Sequence, residues 1–190
     1  MTLPLRTLVR LALITAGILL VPLVLTQFSD GEGWNLFDFI VAGGLIFGTG
    51  LAYELVASRR GNTAYRLGTG LALAATLLLI WVNLAVGIIG SEDNPANLLF
   101  GSVFLIVFLG AILARLQPRG MARTMLAAAG AQFLVPVVAM LIWRPELTMG
   151  VAKVLAANLL FVALWVGAGL LFRQASGPRP EAASTASGAA

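Results

Sequence analysis

The sequence predicts an all-α, polytopic membrane protein with six transmembrane helices. Of its 190 residues, 59% are hydrophobic and only 11% are charged, whereas soluble domains carry about 25% charged residues. The apolar residues fall into six runs of the length that an α-helix needs to cross the hydrocarbon core, roughly 20 residues. Because these runs do not alternate apolar with polar residues, they favour helices over membrane-spanning strands.

The predicted spans make one transmembrane domain over residues 1–173. In chain order they cover 7–27, 35–57, 66–90, 97–116, 121–143 and 150–173. The first span follows Arg6 and Arg10, as a signal peptide would. No small-residue cleavage site precedes the acidic residues that come after it, so we expect it to stay as a helix. Residues 174–190 are small and polar and should form a disordered tail, because they bury too little apolar surface to fold.

The basic residues predict how the chain is oriented. The loops on one side carry Arg144 and Lys153 only. Those on the other side carry ten arginines: Arg6, Arg10, Arg59, Arg60, Arg66, Arg115, Arg119, Arg123, Arg173 and Arg179. The positive-inside rule therefore predicts cytoplasmic N- and C-termini. Because the composition is rich in Arg, Ala, Gly and Leu, as in proteins from high-GC bacterial genomes, we expect the bacterial inner (plasma) membrane.

The loop GSEDNPAN connects the third and fourth spans on the side that is poor in arginine. Its acids, Glu92 and Asp93, have two interpretations. They could gather cations at a pore mouth or a metal site, or they could belong to a solvated turn of the kind that Asp, Asn and Pro ordinarily form.

A threefold repeat is suggested by Asn-Leu pairs in every second span. The asparagines are Asn35, Asn97 and Asn158, separated by 62 and 61 residues. The first, third and fifth spans each begin just after an arginine. The chain can therefore be read as three parallel helical hairpins. Asn35 and Asn97 stand where a helix begins and are predicted to cap it. Asn158 lies deeper in its span, where capping explains it less well.

Three amides lie inside apolar spans and are the main candidates for a functional site. They are Asn83, Gln132 and Asn158, which could line a shared polar cavity or join neighbouring helices by hydrogen bonds. If the third helix runs to position 90, Asn83 shares a small, polar face with Gly87 and Gly90. That face should point into the bundle.

Glu54 is the only acid near the cytoplasmic end of a predicted span. We expect it to form an ion pair with Arg115, at the matching depth of the fourth span, or with Arg59 or Arg60. A carboxylate at this depth could instead couple transport to protons or ions.

The residues that most enzymes need are missing from the sequence. Cysteine and histidine are absent, which removes the commonest ligands of zinc and haem iron and any histidine base. There is no glycine-rich phosphate loop or metal-ligand motif. Asp38 and Glu54 are 16 residues apart on one helix, roughly 24 Å by helical rise. We therefore expect no enzymatic activity and no cofactor. Nucleic acid is not an expected partner either, since membrane topology explains the arginines.

The segment GLAYELVASRR, followed by YRLGTGLALAATLLLIWVNLAVGIIGSEDNPANLL, resembles uncharacterised bacterial multi-pass inner-membrane proteins. That resemblance implies a location and no activity. Short loops and faces of small residues favour a non-enzymatic accessory or assembly subunit of a membrane complex. Its expected partners are the lipid bilayer and other membrane-protein subunits or further copies of the chain. The alternative is a small solute or ion permease or channel, with a polar cavity near Asn83.

Overall fold

The computed structural model describes residues 4–28, 33–58, 62–91, 93–144 and 148–177. These residues form helices and no strands, which confirms the predicted all-α class. The helices are α1 (Leu5–Gln27), α2 (Leu36–Ala57), α3 (Thr63–Ala85), α4 (Gly101–Leu113), α5 (Pro118–Trp143) and α6 (Met149–Ala175). A 3₁₀ helix, Pro95–Phe100, leads directly into α4. With it, all six are long and apolar enough to cross a membrane, so the chain is a multi-pass membrane protein.

Contacts divide the chain into two compact units, where the sequence predicted a single domain. The first unit is Met1–Arg59 and the second is Arg60–Ala190. The predicted disordered tail, 174–190, overlaps the last two residues of α6, and its residues from 178 onward lie outside the described part of the chain.

The first unit is a helical hairpin, in which α1 packs against α2. Asn35 caps α2 as predicted: its side-chain oxygen accepts from the backbone N–H groups of Phe37 (2.8 Å) and Asp38 (3.2 Å). The Asp38 carboxylate accepts in turn from the Asn35 N–H at 2.8 Å. This reciprocal arrangement is a capping box, and it satisfies donors that the first turn of a helix leaves free.

The second unit is organised around α5 and α6. α6 packs against both α3 and α5, and α4 packs on α5. One face of α5 is buried along its whole length, at the three- and four-residue spacing of a packed helix: Met121, Ala122, Thr124, Met125, Ala128, Ala129, Gln132, Val135, Pro136 and Ala139. Because α3 packs mainly on α6 and not on α4, the second of the three predicted hairpins is not formed by direct packing. The threefold repeat therefore stays a prediction.

α3 ends at Ala85, five residues before the predicted position 90. Gly87 and Gly90 have φ angles of +73° and +77°, values that end a right-handed helix and that residues with a side chain rarely adopt. The predicted helical face of Asn83, Gly87 and Gly90 is therefore wrong, because both glycines belong to the loop that follows the helix.

Candidate functional site

Two of the three predicted intramembrane amides meet in the middle of the second unit. Gln132 of α5 donates a hydrogen bond from Nε2 to Oδ1 of Asn158 on α6, at 2.9 Å. Their exposed fractions are 0% and 1%, so no surface of either residue is offered to solvent. A direct bond between two buried amides joins α5 to α6, the closest-packed helices of the unit.

The surroundings of this pair contain polar atoms that lack partners. Among the described residues, neither the Gln132 Oε1 atom nor the Trp165 Nε1 atom has a hydrogen-bond partner, and both are buried. Trp165 lies seven residues beyond Asn158 on α6, on the same helix face. Pro136 follows Gln132 by four residues, and since proline has no N–H it cannot donate the helical hydrogen bond to the Gln132 carbonyl. The buried core around Gln132 and Asn158 therefore contains polar atoms that helical hydrogen bonds do not satisfy.

Asn83, the third predicted amide, is not hydrogen-bonded to the other two. Its Nδ2 donates to the backbone carbonyl of Leu79, one turn earlier in α3, at 2.8 Å. Its Oδ1 is buried and has no partner among the described residues. The structure thus joins Gln132 to Asn158, while Asn83 forms a bond within its own helix.

The loop after α3 is held by the side chain of Asn97. Its Oδ1 accepts from the N–H groups of Ile88 (3.1 Å) and Ile89 (2.9 Å), and its Nδ2 donates to the carbonyls of Ile89 (3.3 Å) and Ser91 (2.7 Å). Asn97 was predicted to cap a helix, and that prediction is wrong. The cap is supplied by Asn94, whose Oδ1 accepts from the Ala96 N–H at 2.9 Å.

A cavity of about 630 Å³ lies beside this loop, between the adjoining ends of α3, α5 and α6. Its walls are mainly apolar and include Val86, Ala139 and Ala157. Trp143, at the end of α5, and Lys153, in the second turn of α6, also line it. Its volume lies within the range of about 300–1,000 Å³ that is typical of small-molecule sites.

At the opposite end of the second unit, Tyr65 of α3 contacts both α6 and the turn after α4. This side chain is fully buried, and its hydroxyl donates to the carbonyl of Leu116 at 2.9 Å. Its ring meets Phe172 of α6 edge-on, with centroids 5.2 Å apart. Leu116 and its neighbour Arg115 both have left-handed φ angles, +56° and +47°. The carbonyl of this unusual turn is thus bound by a buried side chain from α3.

Glu54 has a partner other than the predicted Arg115, and the alternative partners Arg59 and Arg60 lie outside the described residues. Its carboxylate is paired with the Arg10 guanidinium, which the α1–α2 hairpin brings to the same end of the first unit. The side chains are 60% (Arg10) and 26% (Glu54) exposed. Arg115 belongs to the second unit and lies in the turn after α4, with its side chain exposed.

The candidate acids of the loop are described in part. Asp93 is exposed, and Glu92 lies outside the described residues. No group of three or more acidic side chains in the described part of the chain comes together in a way that could hold a metal ion.

Several residues of these sites were not predicted as functional from the sequence. Tyr65 and Trp165 are aromatic residues in apolar spans, where aromatic residues are common, and nothing local distinguishes them. Lys153 was noted only as a topological charge. The position of Pro136, four residues after an intramembrane glutamine, could have indicated from the sequence that the Gln132 carbonyl lacks its helical hydrogen bond.

No known protein family, curated protein or solved structure matches the chain. The resemblance to bacterial inner-membrane proteins therefore stays a prediction from the sequence.

Proposed function

We propose that this protein is a non-enzymatic accessory or assembly subunit of a membrane-protein complex. The observation that carries the proposal is the Gln132–Asn158 hydrogen bond, at 2.9 Å between two fully buried side chains. Amides that line a water-filled path present polar atoms to water, whereas these two bind each other across a helix interface. They act in packing, as polar residues commonly do between transmembrane helices.

The exposed surface of the first unit supports the same proposal. Only Leu11 and Thr15 are buried on α1, and only Ala42 and Ala57 on α2. Many of the remaining apolar side chains of this hairpin are exposed, and others are half-buried. Lipid or helices outside the hairpin must cover them, and an accessory subunit would use such a hairpin to bind its complex.

The alternative function, a small permease or channel, is favoured by the buried Oδ1 atom of Asn83, which has no partner among the described residues. A solute path would use such an atom as an acceptor. Two observations count against a permease. The Asn83 amide already donates to its own helix, and the nearby cavity is mainly apolar.

The orientation of the chain is part of the proposal and is supported by charge. Ten arginines on one side of the predicted topology, against one arginine and one lysine on the other, favour cytoplasmic termini in a bacterial inner membrane.

Photocrosslinking in native membranes tests the subunit proposal. A photoreactive amino acid is placed at Leu13, which is 68% exposed, and in a matched variant at Leu11, which is buried. We expect a specific crosslink to another membrane protein from position 13 and none from position 11.

Crosslinks to lipid alone from position 13, and likewise from Phe37 and Ile40 on α2, would contradict the proposal. A crosslinked product of two copies of this chain would replace the accessory role by self-assembly. Uptake of solutes by liposomes that contain only this protein would favour the permease.

A further inference from the structure

The cavity between α3, α5 and α6 has the features of a ligand site with one charged end. Apolar side chains, among them Val82, Val86 and Val154, form its wall. At the other end, Trp143 and Lys153 line it, and both side chains are exposed. A ligand that matches this wall has an apolar body and one polar end.

The charge at that end is positive. Lys153 is the only ionisable side chain among the described residues that line the cavity. Thr148, Gly150 and Val151, from the start of α6, line it as well, and the side chain of Thr148, the N-cap residue, forms no capping hydrogen bond with the described residues. The first-turn N–H groups of α6 therefore lack helical partners and, with the helix dipole, favour an anion at the same place as the lysine.

Among the described acids, Asp93 is the one nearest in sequence to a lining residue. Asp93 is exposed and lies next to Asn94, which lines the cavity, but Asp93 is not one of the described lining residues. The Asn94 oxygen is already occupied by the Ala96 N–H. Among the described residues that line the cavity, the lysine and the N-terminus of α6 are the groups that attract negative charge.

We propose that this cavity binds one acyl chain that ends in an anionic group. The acyl chain lies between α3, α5 and α6, and the anionic group lies at Lys153 and the first turn of α6. Trp143 suits the boundary between the two, because tryptophan favours the interface between apolar and polar surroundings. A free fatty acid and an anionic phospholipid share this chemistry.

The acyl-chain part is tested with the full chain in phosphatidylcholine vesicles and a photoreactive palmitate as the probe. Ala157→Phe fills the cavity, since Ala157 lines it. Ala156→Phe adds the same bulk at the next position, which is exposed and is not a lining residue. We expect labelling of the unchanged protein and of Ala156→Phe on peptides from residues 82–96 and 136–157, and labelling of Ala157→Phe at background. Equal labelling of the two variants by a probe that labels the unchanged protein would overturn the proposal.

The anionic part is tested by competition with unlabelled palmitate and with the matching fatty alcohol. Lys153→Gln should weaken competition by palmitate about tenfold, the usual effect of losing a hydrogen bond to a charged group. It should leave competition by the alcohol unchanged, and Lys153→Arg should restore palmitate binding. If Lys153→Gln weakened both competitors alike, or neither, the anionic assignment would be overturned.

A second probe, photoreactive phosphatidylglycerol in the same vesicles, separates the two sources of the ligand. Labelling by the phospholipid alone assigns the site to a membrane lipid, and labelling by palmitate alone assigns it to a free fatty acid. Absence of labelling by both would contradict the proposal.

Discussion

The two units of this chain are built with very different amounts of core. Among the described residues of the first unit, four are buried: Leu11, Thr15, Ala42 and Ala57. In the second unit, ten residues are buried on α5 alone. The second unit also has polar contacts between helices at its middle and at its Tyr65 end. The second unit therefore carries a core of its own, whereas few side chains of the first unit are fully buried.

The largest difference is expected for two tyrosines, one in each unit. Tyr65→Ala removes a fully buried ring and its hydrogen bond to Leu116, and should destabilise the second unit by about 3–5 kcal/mol. Tyr53, on α2, is only half-buried, and Tyr53→Ala should cost less than about 1 kcal/mol. Loss of helicity during unfolding by SDS in mixed micelles measures both. Equal losses of stability in the two variants would mean that the two units do not differ in packing as described.

The next largest difference in stability is expected for two glycines, one in each unit. Gly87 has a left-handed φ, and an added Cβ would lie 2.4 Å from the Ser91 carbonyl carbon and oxygen. Gly87→Ala should therefore cost at least about 2 kcal/mol. Gly44 in α2 has no atom within 4 Å of an added Cβ, and Gly44→Ala should stabilise the helix by about 0.5–1 kcal/mol. The same unfolding assay compares them, and a neutral Gly87→Ala would contradict the loop geometry.

A double-mutant cycle measures the bond between α5 and α6. Gln132→Leu and Asn158→Leu each leave one buried amide without its partner and should each cost about 1–2 kcal/mol. The double variant should cost less than the sum, with a coupling energy of about 0.6–1.7 kcal/mol. Additive losses would show that the two side chains do not stabilise each other.

The smallest effect is expected at the ion pair of the first unit. Arg10→Gln removes the partner of Glu54, but the arginine is largely exposed, so the loss should be at most about 0.5–1 kcal/mol. Added salt should reduce the difference further. A large loss of stability that is insensitive to salt would show that this ion pair is shielded from solvent. The first unit would then be more buried than the comparison assumes.

The sequence predicted the helices well and their packing faces poorly. The spans were predictable because apolar length alone defines them, and Asn35 was predictable as a cap because its contacts are local. The end of α3 was misjudged, since Gly87 and Gly90 read equally well as helix residues or as left-handed turn residues. Which amides would meet depended on how α6 lies between α3 and α5, which no local pattern shows.

The ion pair of Glu54 also shows that local sequence patterns do not determine which distant residues meet. The matching depth of Arg115 was a sound expectation, but Arg10 lies at the same end of the α1–α2 hairpin. Charge and depth predicted an arginine partner, but the packing of α1 against α2 selected Arg10, which was not among the predicted arginines.

The central claim is that the amides in the middle of the second unit join helices and do not line a water-filled path. The chain contains no cysteine, so one introduced at position 132 can be probed alone with membrane-impermeant thiol reagents from both sides. A cysteine at Ser91, which is exposed in the loop, is the control and should react. We predict that Gln132→Cys in the folded protein resists labelling from either side. Labelling at position 132 as fast as at position 91 would contradict the account and favour a permease.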